Sequence, residues 1–270
     1  MRVAYVQMNC QFGQIERNIY KASELVNSVR ADLYVLPELF NTGYQFVNRS
    51  EVEELAEEIP GGITCQLLSR LARRRSCYLV AGLAEKDGLK VFNSSVLIGP
   101  QGHVSTYRKI HLFDEEKIWF QPGDRPFQTA AVGDTRIGLM ICFDWIFPEA
   151  MRSLALHGAH VICHSANLLL PFCQNAMITR CLENHVFAVT ANRIGSEKRK
   201  ERSLTFTGGS QIVGPRGEIL AQSGPGGEEA KAVEIDPLIA WDKHITGRNH
   251  LFNDRRPDMY TGMMEGADLL

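Results

Sequence analysis

Cys142 is the residue whose setting most clearly suggests chemistry. It stands in Met140-Ile141-Cys142-Phe143-Asp144-Trp145, at the end of an apolar run over residues 135–141, with a helix start at Pro148-Glu149. A thiol at a strand end, followed by a sharp turn and a helix, is presented to a pocket, the layout that exposes a nucleophile at the top of a sheet. A free cysteine otherwise packs as a small hydrophobe, so its company decides. Two upstream segments read as partners: Leu36-Pro37-Glu38-Leu39-Phe40 and Tyr107-Arg108-Lys109-Ile110-His111-Leu112. A free thiol has a pKa near ~8.5 and is mostly protonated at neutral pH. Attack on a weak electrophile therefore needs a proton acceptor and a positive group where negative charge develops.

These residues must be positioned by a fold, and the periodicity outlines one. Strands are expected over residues 2–8, 32–36, 77–84, 135–142, 160–164, 186–192 and 230–235. Helices are expected over 14–29, 51–58, 64–74, 148–157 and 173–184. Pro60-Gly61-Gly62 separates the second and third helices, and Thr64 is a candidate cap for the third. Residues 91–98 and 102–107 flank Gly99-Pro100-Gln101-Gly102. Residues 210–213 and 218–221 flank Gly214-Pro215-Arg216-Gly217. Both read as hairpins, and the recurring turn hints that the two halves repeat one pattern. Strands alternating with helices indicate an α/β fold with mixed sheets. No linker or low-complexity tract appears, so one domain is expected.

The chain has 270 residues, 22% of them charged, with a formal net charge of −2. That balance argues against a general nucleic-acid binder. No apolar stretch approaches the ~20 residues that span a bilayer, and the first residues read as a strand and not as a signal peptide. The seven cysteines are an odd count without Cys-x-x-Cys spacing. Free thiols in a reducing, cytoplasmic setting are expected, with no zinc site.

Pro37-Glu38-Leu39, Tyr107-Arg108-Lys109-Ile110-His111-Leu112 and Ile141-Cys142-Phe143-Asp144-Trp145-x-Phe147-Pro148-Glu149 together resemble the nitrilase superfamily of carbon–nitrogen hydrolases. Phe120-Gln121-Pro122-Gly123-Asp124, Ser165-Ala166-Asn167, Arg180-x-x-Glu183-Asn184 and Arg255-Arg256-Pro257-Asp258-x-Tyr260 add to the likeness, which covers nearly the whole chain. The resemblance implies a four-layer α-β-β-α sandwich over residues 1–240, a Glu-Lys-Cys catalytic set, no metal or cofactor, and dimers. The tail, residues 241–270, would pack at the dimer interface.

By that resemblance Cys142 is the nucleophile, Glu38 the base that takes its proton, and Lys109 the group that holds the negative charge of the tetrahedral intermediate. The backbone N–H of Phe143 is a second donor. Proton transfer of this kind is typically worth about 10²- to 10⁴-fold. One oxyanion donor is worth about 10²- to 10³-fold. An accessory glutamate is expected beside the lysine. Alignment on Phe120-x-Pro122-Gly123-Asp124 favours Glu116 over Glu115. Tyr44, Phe143, Trp145 and Asn167 are candidate substrate contacts. His111 reads as structural, His164 as either pocket rim or core, and Asp144 as the pin of the turn after Cys142. Residues 198–202, Lys-Arg-Lys-Glu-Arg, read as a solvated loop.

The partner implied is a small molecule. Phe143-Asp144 after the nucleophile is more like the amidase and carbamoylase branches than like nitrilases with Trp-Glu there. An aliphatic amide, ω-amide or carbamoyl compound is therefore the first expectation, with a small aliphatic nitrile as the alternative. A non-catalytic scaffold on the same fold would require loss of one of the three residues, and none is lost.

Overall fold

Side-chain alternation along the first strand sets the layers of the computed structural model, which describes residues 1–260 and 262. In β1 (Arg2–Gln7), Val3 and Tyr5 enter one apolar cluster while Ala4 and Val6 enter another. Successive side chains on a strand point to opposite faces, so a strand apolar at every position is covered on both. β2 (Leu33–Val35) and β3 (Tyr78–Asp87) behave the same way.

These strands belong to a six-stranded sheet, completed by β4 (Lys90–Gly99), β5 (Gly102–Arg108) and β14 (Glu229–Glu234), in the order β14-β1-β2-β3-β4-β5. The second six-stranded sheet has the order β13-β12-β9-β8-β7-β6. Its strands are β6 (Thr129–Val132), β7 (Thr135–Ile141), β8 (Val161–Ala166), β9 (Phe187–Asn192), β12 (Gln211–Val213) and β13 (Ile219–Gln222). Each sheet runs three strands parallel, then two antiparallel, with one antiparallel strand on the other edge. The two Gly-Pro-x-Gly turns occupy equivalent places, joining β4 to β5 and β12 to β13. The repeat hinted at by the sequence is thus a repeat of sheet topology.

The outer face of the first sheet is covered by α1 (Ile15–Ser28) and α3 (Ile63–Arg75) through Ile19, Ala22, Val26, Leu68 and Leu71. The second sheet is covered by α5 (Pro148–Leu156) and α6 (Cys173–Asn184) through Met151, Leu154, Met177 and Cys181. Val3, Tyr5, Val35 and Val80 of one sheet share a core with Ile137, Leu139 and Val189 of the other. The result is a four-layer α-β-β-α sandwich.

Local corrections have local causes. α2 spans Arg49–Leu55, not 51–58, because the Asn48 side chain accepts from the Glu51 N–H at 2.9 Å and caps it there. Gly62, not Thr64, precedes α3. Thr64 is buried, and its N–H and hydroxyl both go to the Glu57 carboxylate. Residues 198–202 are solvated as expected, four of the five being exposed, but they are not an irregular loop. They form the tip of a hairpin of β10 (Ser196–Arg199) and β11 (Arg202–Thr205), in which Arg199 pairs with Glu51 and Arg202 with Asp114 and Glu115. α4 (Glu116–Trp119) is a single turn.

Beyond the sandwich, β15 (His244–Thr246) pairs with β16 (Asn249–His250), while Trp241, Ile245 and Met259 are exposed. Thr261 and residues 263–270, part of the tail expected at a dimer interface, lie outside the described residues. Among the described residues no helix is long and apolar enough to cross a membrane, and the seven cysteines are free and buried.

Candidate active site

Lys109 follows β5 directly, and its backbone is clamped. Its N–H donates to the Asn93 carbonyl at 2.8 Å, and its carbonyl accepts from the Gly123 N–H at 2.8 Å. Only glycine fits at 123, since a Cβ there would lie 2.2 Å from the Arg108 carbonyl oxygen. Arg108 points away, stacked 3.9 Å over Phe92 and paired with Glu85, Asp87 and Asp124. Arg108 and Lys109 are thus adjacent cations with separate partners.

Glu38 follows β2, where Leu36-Pro37 leaves the sheet. The close approach of β3 fixes it: a Cβ on Gly82 would lie 2.5 Å from the Glu38 Cα. The Glu38 carbonyl accepts from the Asn167 side chain at 2.8 Å. Its Oε1 accepts from Asn93 Nδ2 and from Lys109 Nζ, both at 2.7 Å. Its Oε2 is buried and has no hydrogen-bond partner among the described residues.

Cys142 begins a short 3-10 turn after β7 and holds φ +40°, a left-handed conformation that is strained for a non-glycine residue. The strain is held by Asp144. One carboxylate oxygen accepts from the Tyr107 hydroxyl at 2.7 Å and the Ile141 N–H at 2.9 Å, while the other pairs with His111 Nδ1 at 2.7 Å. His111 stacks on Phe147 with centroids 3.8 Å apart. Asp144 therefore ties the segment carrying Lys109 to the turn carrying Cys142. The Cys142 carbonyl can only accept, so His164 donates to it through Nε2, at 2.9 Å, and takes the Thr190 hydroxyl on Nδ1 at 3.2 Å. Burial lowers the His164 pKa, which keeps the ring neutral.

Lys109 Nζ also meets Glu116, at 2.8 Å to Oε1 and 2.7 Å to Oε2. Glu38, Lys109 and Glu116 are all buried. Glu115 is half-exposed and paired with Arg202, so the neighbour of the lysine is Glu116. Burial drives the Lys109 pKa down, but Glu116 and Glu38 more than offset it, and the net shift is upward; the ammonium stays charged. Burial, then the Glu38 charge, raises the Cys142 pKa well above that of an ordinary thiol, against the opposing pull of Lys109. The resting sulfur is therefore a neutral thiol that needs a base.

Phe143, Trp145 and Asn167 line a cavity with Cys142, Phe113 and residues Leu168, Leu169 and Leu170. Tyr44 lies in an adjoining cleft that shares Phe113 and Leu169 with it. Its hydroxyl is committed to Glu116 Oε1 at 2.7 Å, so as a candidate contact it acts on the cluster and not directly on the sulfur. Three parts of the site escaped the sequence reading. Asn93 bonds Glu38. Glu197 accepts the Tyr44 N–H at 3.0 Å and sits 2.8 Å from the buried Arg193 guanidinium. Arg193 in turn stacks 4.2 Å over Phe206.

Glu116 gives a pH prediction. Burial raises its pKa to about 7, with Lys109 opposing. A carboxyl so raised is neutral below pH ~7 and anionic above it, so the full Lys109 pairing exists only on the alkaline side. A plot of log kcat/KM against pH is expected to fall below pH ~7, and Glu116→Gln to remove that limb. An acid limb that persists unchanged in Glu116→Gln would assign it to another group.

A thiol in a strained strand-to-helix turn, a buried carboxylate with one free oxygen and a doubly paired lysine form a set suited to acyl chemistry at a C–N bond. Comparison with known proteins agrees. The sequence pattern of the carbon-nitrogen hydrolase family matches residues 2–240, and the chain belongs to that family. It is 47% identical to a nitrilase from Pyrococcus abyssi (strain GE5 / Orsay) over 96% of this chain and 99% of that protein. It is 35% identical to an (R)-stereoselective amidase from a Pseudomonas species, over 87% and 85%. The crystal structure of a carbon-nitrogen hydrolase from Helicobacter pylori G27 superimposes with a TM-score of 0.88 at 25% identity, covering 98% of each chain.

Proposed function

We propose that this carbon–nitrogen hydrolase releases ammonia from a small aliphatic nitrile or amide through a thioester on Cys142. The observation that carries the reading is the buried Glu38 Oε2, without a hydrogen-bond partner among the described residues, on a carboxylate whose other oxygen is held by the Lys109 ammonium at 2.7 Å. As sulfur attacks the substrate carbon, its proton passes to Glu38. The charge that develops on the amide oxygen, or on the nitrile nitrogen, is held by Lys109 and by the Phe143 N–H, which lies in the first turn of a helix and has no intrahelical acceptor. With an amide, Glu38 returns the proton to the departing nitrogen, ammonia leaves and the thioester remains. A nitrile first gives a thioimidate, and one added water brings it to the same tetrahedral intermediate. A further water, deprotonated by Glu38, attacks the thioester, and the acid leaves with the thiol restored. Asn93 and Glu116 act as positioning residues for the base and the lysine.

Between the two substrate classes the nitrile comes first, supported by 47% identity to a nitrilase over almost the full chain. The amide is the second reading, supported by Phe143-Asp144 after the cysteine and by the amidase relative. Incubation with panels of aliphatic nitriles and amides, with ammonia and free amide measured, tests both. Ammonia from nitriles without accumulation of the amide is expected, and ammonia from neither panel would overturn the reading.

A further inference from the structure

We infer that the site selects an uncharged, apolar acyl group and rejects substrates that carry a second carboxylate. The inference rests on the hydrolase reading above and narrows it. The walls of the Cys142 cavity are Phe113, Phe143, Trp145, Leu168, Leu169 and Leu170. Burial of an alkyl chain against them is favourable in proportion to the apolar area removed from water. Besides Cys142, polar side-chain atoms in the lining belong to Trp145, whose indole N–H is a single neutral donor, and to Asn167. Asn167 is the one of the two that carries an acceptor. Its Nδ2 is committed to the Glu38 carbonyl, which leaves Oδ1, an acceptor, buried with no partner among the described residues. An acceptor oxygen repels a carboxylate and welcomes an N–H or O–H donor.

A second carboxylate would need a cation, and those within reach are already neutralised. Lys109 is held by both Glu38 and Glu116. In the adjoining cleft Arg202 is held by Asp114 at 2.6 Å and Glu115 at 2.7 Å. Among the described residues lining the two clefts, Arg202 is the one basic side chain, facing Asp114, Glu115 and Glu116. An anionic substrate end would therefore lose its hydration without gaining a counter-charge and would approach an excess of carboxylates. Discrimination of this kind comes from an unfavourable contact built against the wrong ligand.

Two matched pairs test this, because each member differs only by methyl against carboxylate at the far end: valeramide against glutaramate, and valeronitrile against 4-cyanobutanoate. In the pair that is turned over, kcat/KM for the neutral member is expected to exceed that for the anion by about 100-fold. The variant Asp114→Asn/Glu115→Gln frees Arg202 and is expected to narrow that ratio by about fivefold, the scale of a half-exposed ion pair. An anion turned over as well as its neutral partner by the wild-type enzyme would overturn the inference and leave the hydrolase reading standing. A wild-type enzyme that releases ammonia from no member of either pair, and none from shorter neutral amides and nitriles, would overturn both.

Discussion

Cys142→Ala is expected to abolish ammonia release, with kcat lowered by roughly 10⁴- to 10⁶-fold, the scale seen when a covalent nucleophile is removed. No other thiol can take its place. Cys10, Cys65, Cys77, Cys163, Cys173 and Cys181 are buried away from the cavity, whose lining holds Cys142 and no other thiol. The fold should persist, because alanine fits the same space and Asp144, Tyr107 and His111 still hold the turn. The measurement is ammonia release alongside a urea unfolding curve. A folded Cys142→Ala protein that works at the wild-type rate would remove the sulfur from the mechanism.

Lys109→Met is expected to damage both activity and stability. The lysine is fully buried between two buried carboxylates. Above pH ~7, where Glu116 is anionic in the native protein, its loss leaves like charges that must stay stranded in a low dielectric or take up a proton, a change that typically costs about 3–5 kcal/mol. Activity should fall by at least about 10²- to 10³-fold through loss of the oxyanion donor alone. The two effects are separable. Adding Glu116→Gln to Lys109→Met removes one stranded charge and is expected to restore part of the unfolding free energy while kcat stays low. Urea midpoints and kcat of the single and double variants check this. A Lys109→Met protein as stable as wild type above pH ~7 would contradict the charge pairing assigned to the lysine.

How much of this was legible in the sequence depended on whether the signal was local. Cys142 at a strand end announces itself within a few residues, because a chain leaving a sheet has a recognisable apolar run and breaker, whereas Glu38 after Pro37 and Lys109 in its basic pair would each read as solvated alone and take their roles from the resemblance. The four layers came from the family resemblance, since periodicity alone indicates an α/β fold with mixed sheets, and the repeated Gly-Pro-x-Gly turn only hinted at the paired sheet topology. Glu116 was separable from Glu115 only by resemblance, since two adjacent glutamates carry no local difference; the structure buries one and half-exposes the other.

The hairpin over residues 196–205 was missed because its charged tip reads as solvated. Its ion pairs to Glu51, Asp114 and Glu115 span 87 to 148 residues and leave no periodic trace. Tyr44 illustrates the same limit. An aromatic residue near a strand end suggests a pocket wall, but the direction of its hydroxyl depends on Glu116, 72 residues away, and on the Glu197 contact with its backbone, 153 residues away. The cap expected at Thr64 fails because a half-buried Glu57 competes for its hydroxyl.

Cleavage after Arg136 and Arg152 isolates residues 137–152, a peptide whose single cysteine is Cys142. Acid quenching of the wild-type enzyme during turnover, followed by mass spectrometry of that peptide, measures the covalent intermediate itself. A thioester mechanism requires the substrate's acyl mass on this peptide, absent from Cys142→Ala and lost on hydroxylamine treatment. Acyl mass on a different peptide, with residues 137–152 unmodified while ammonia is released, would contradict it.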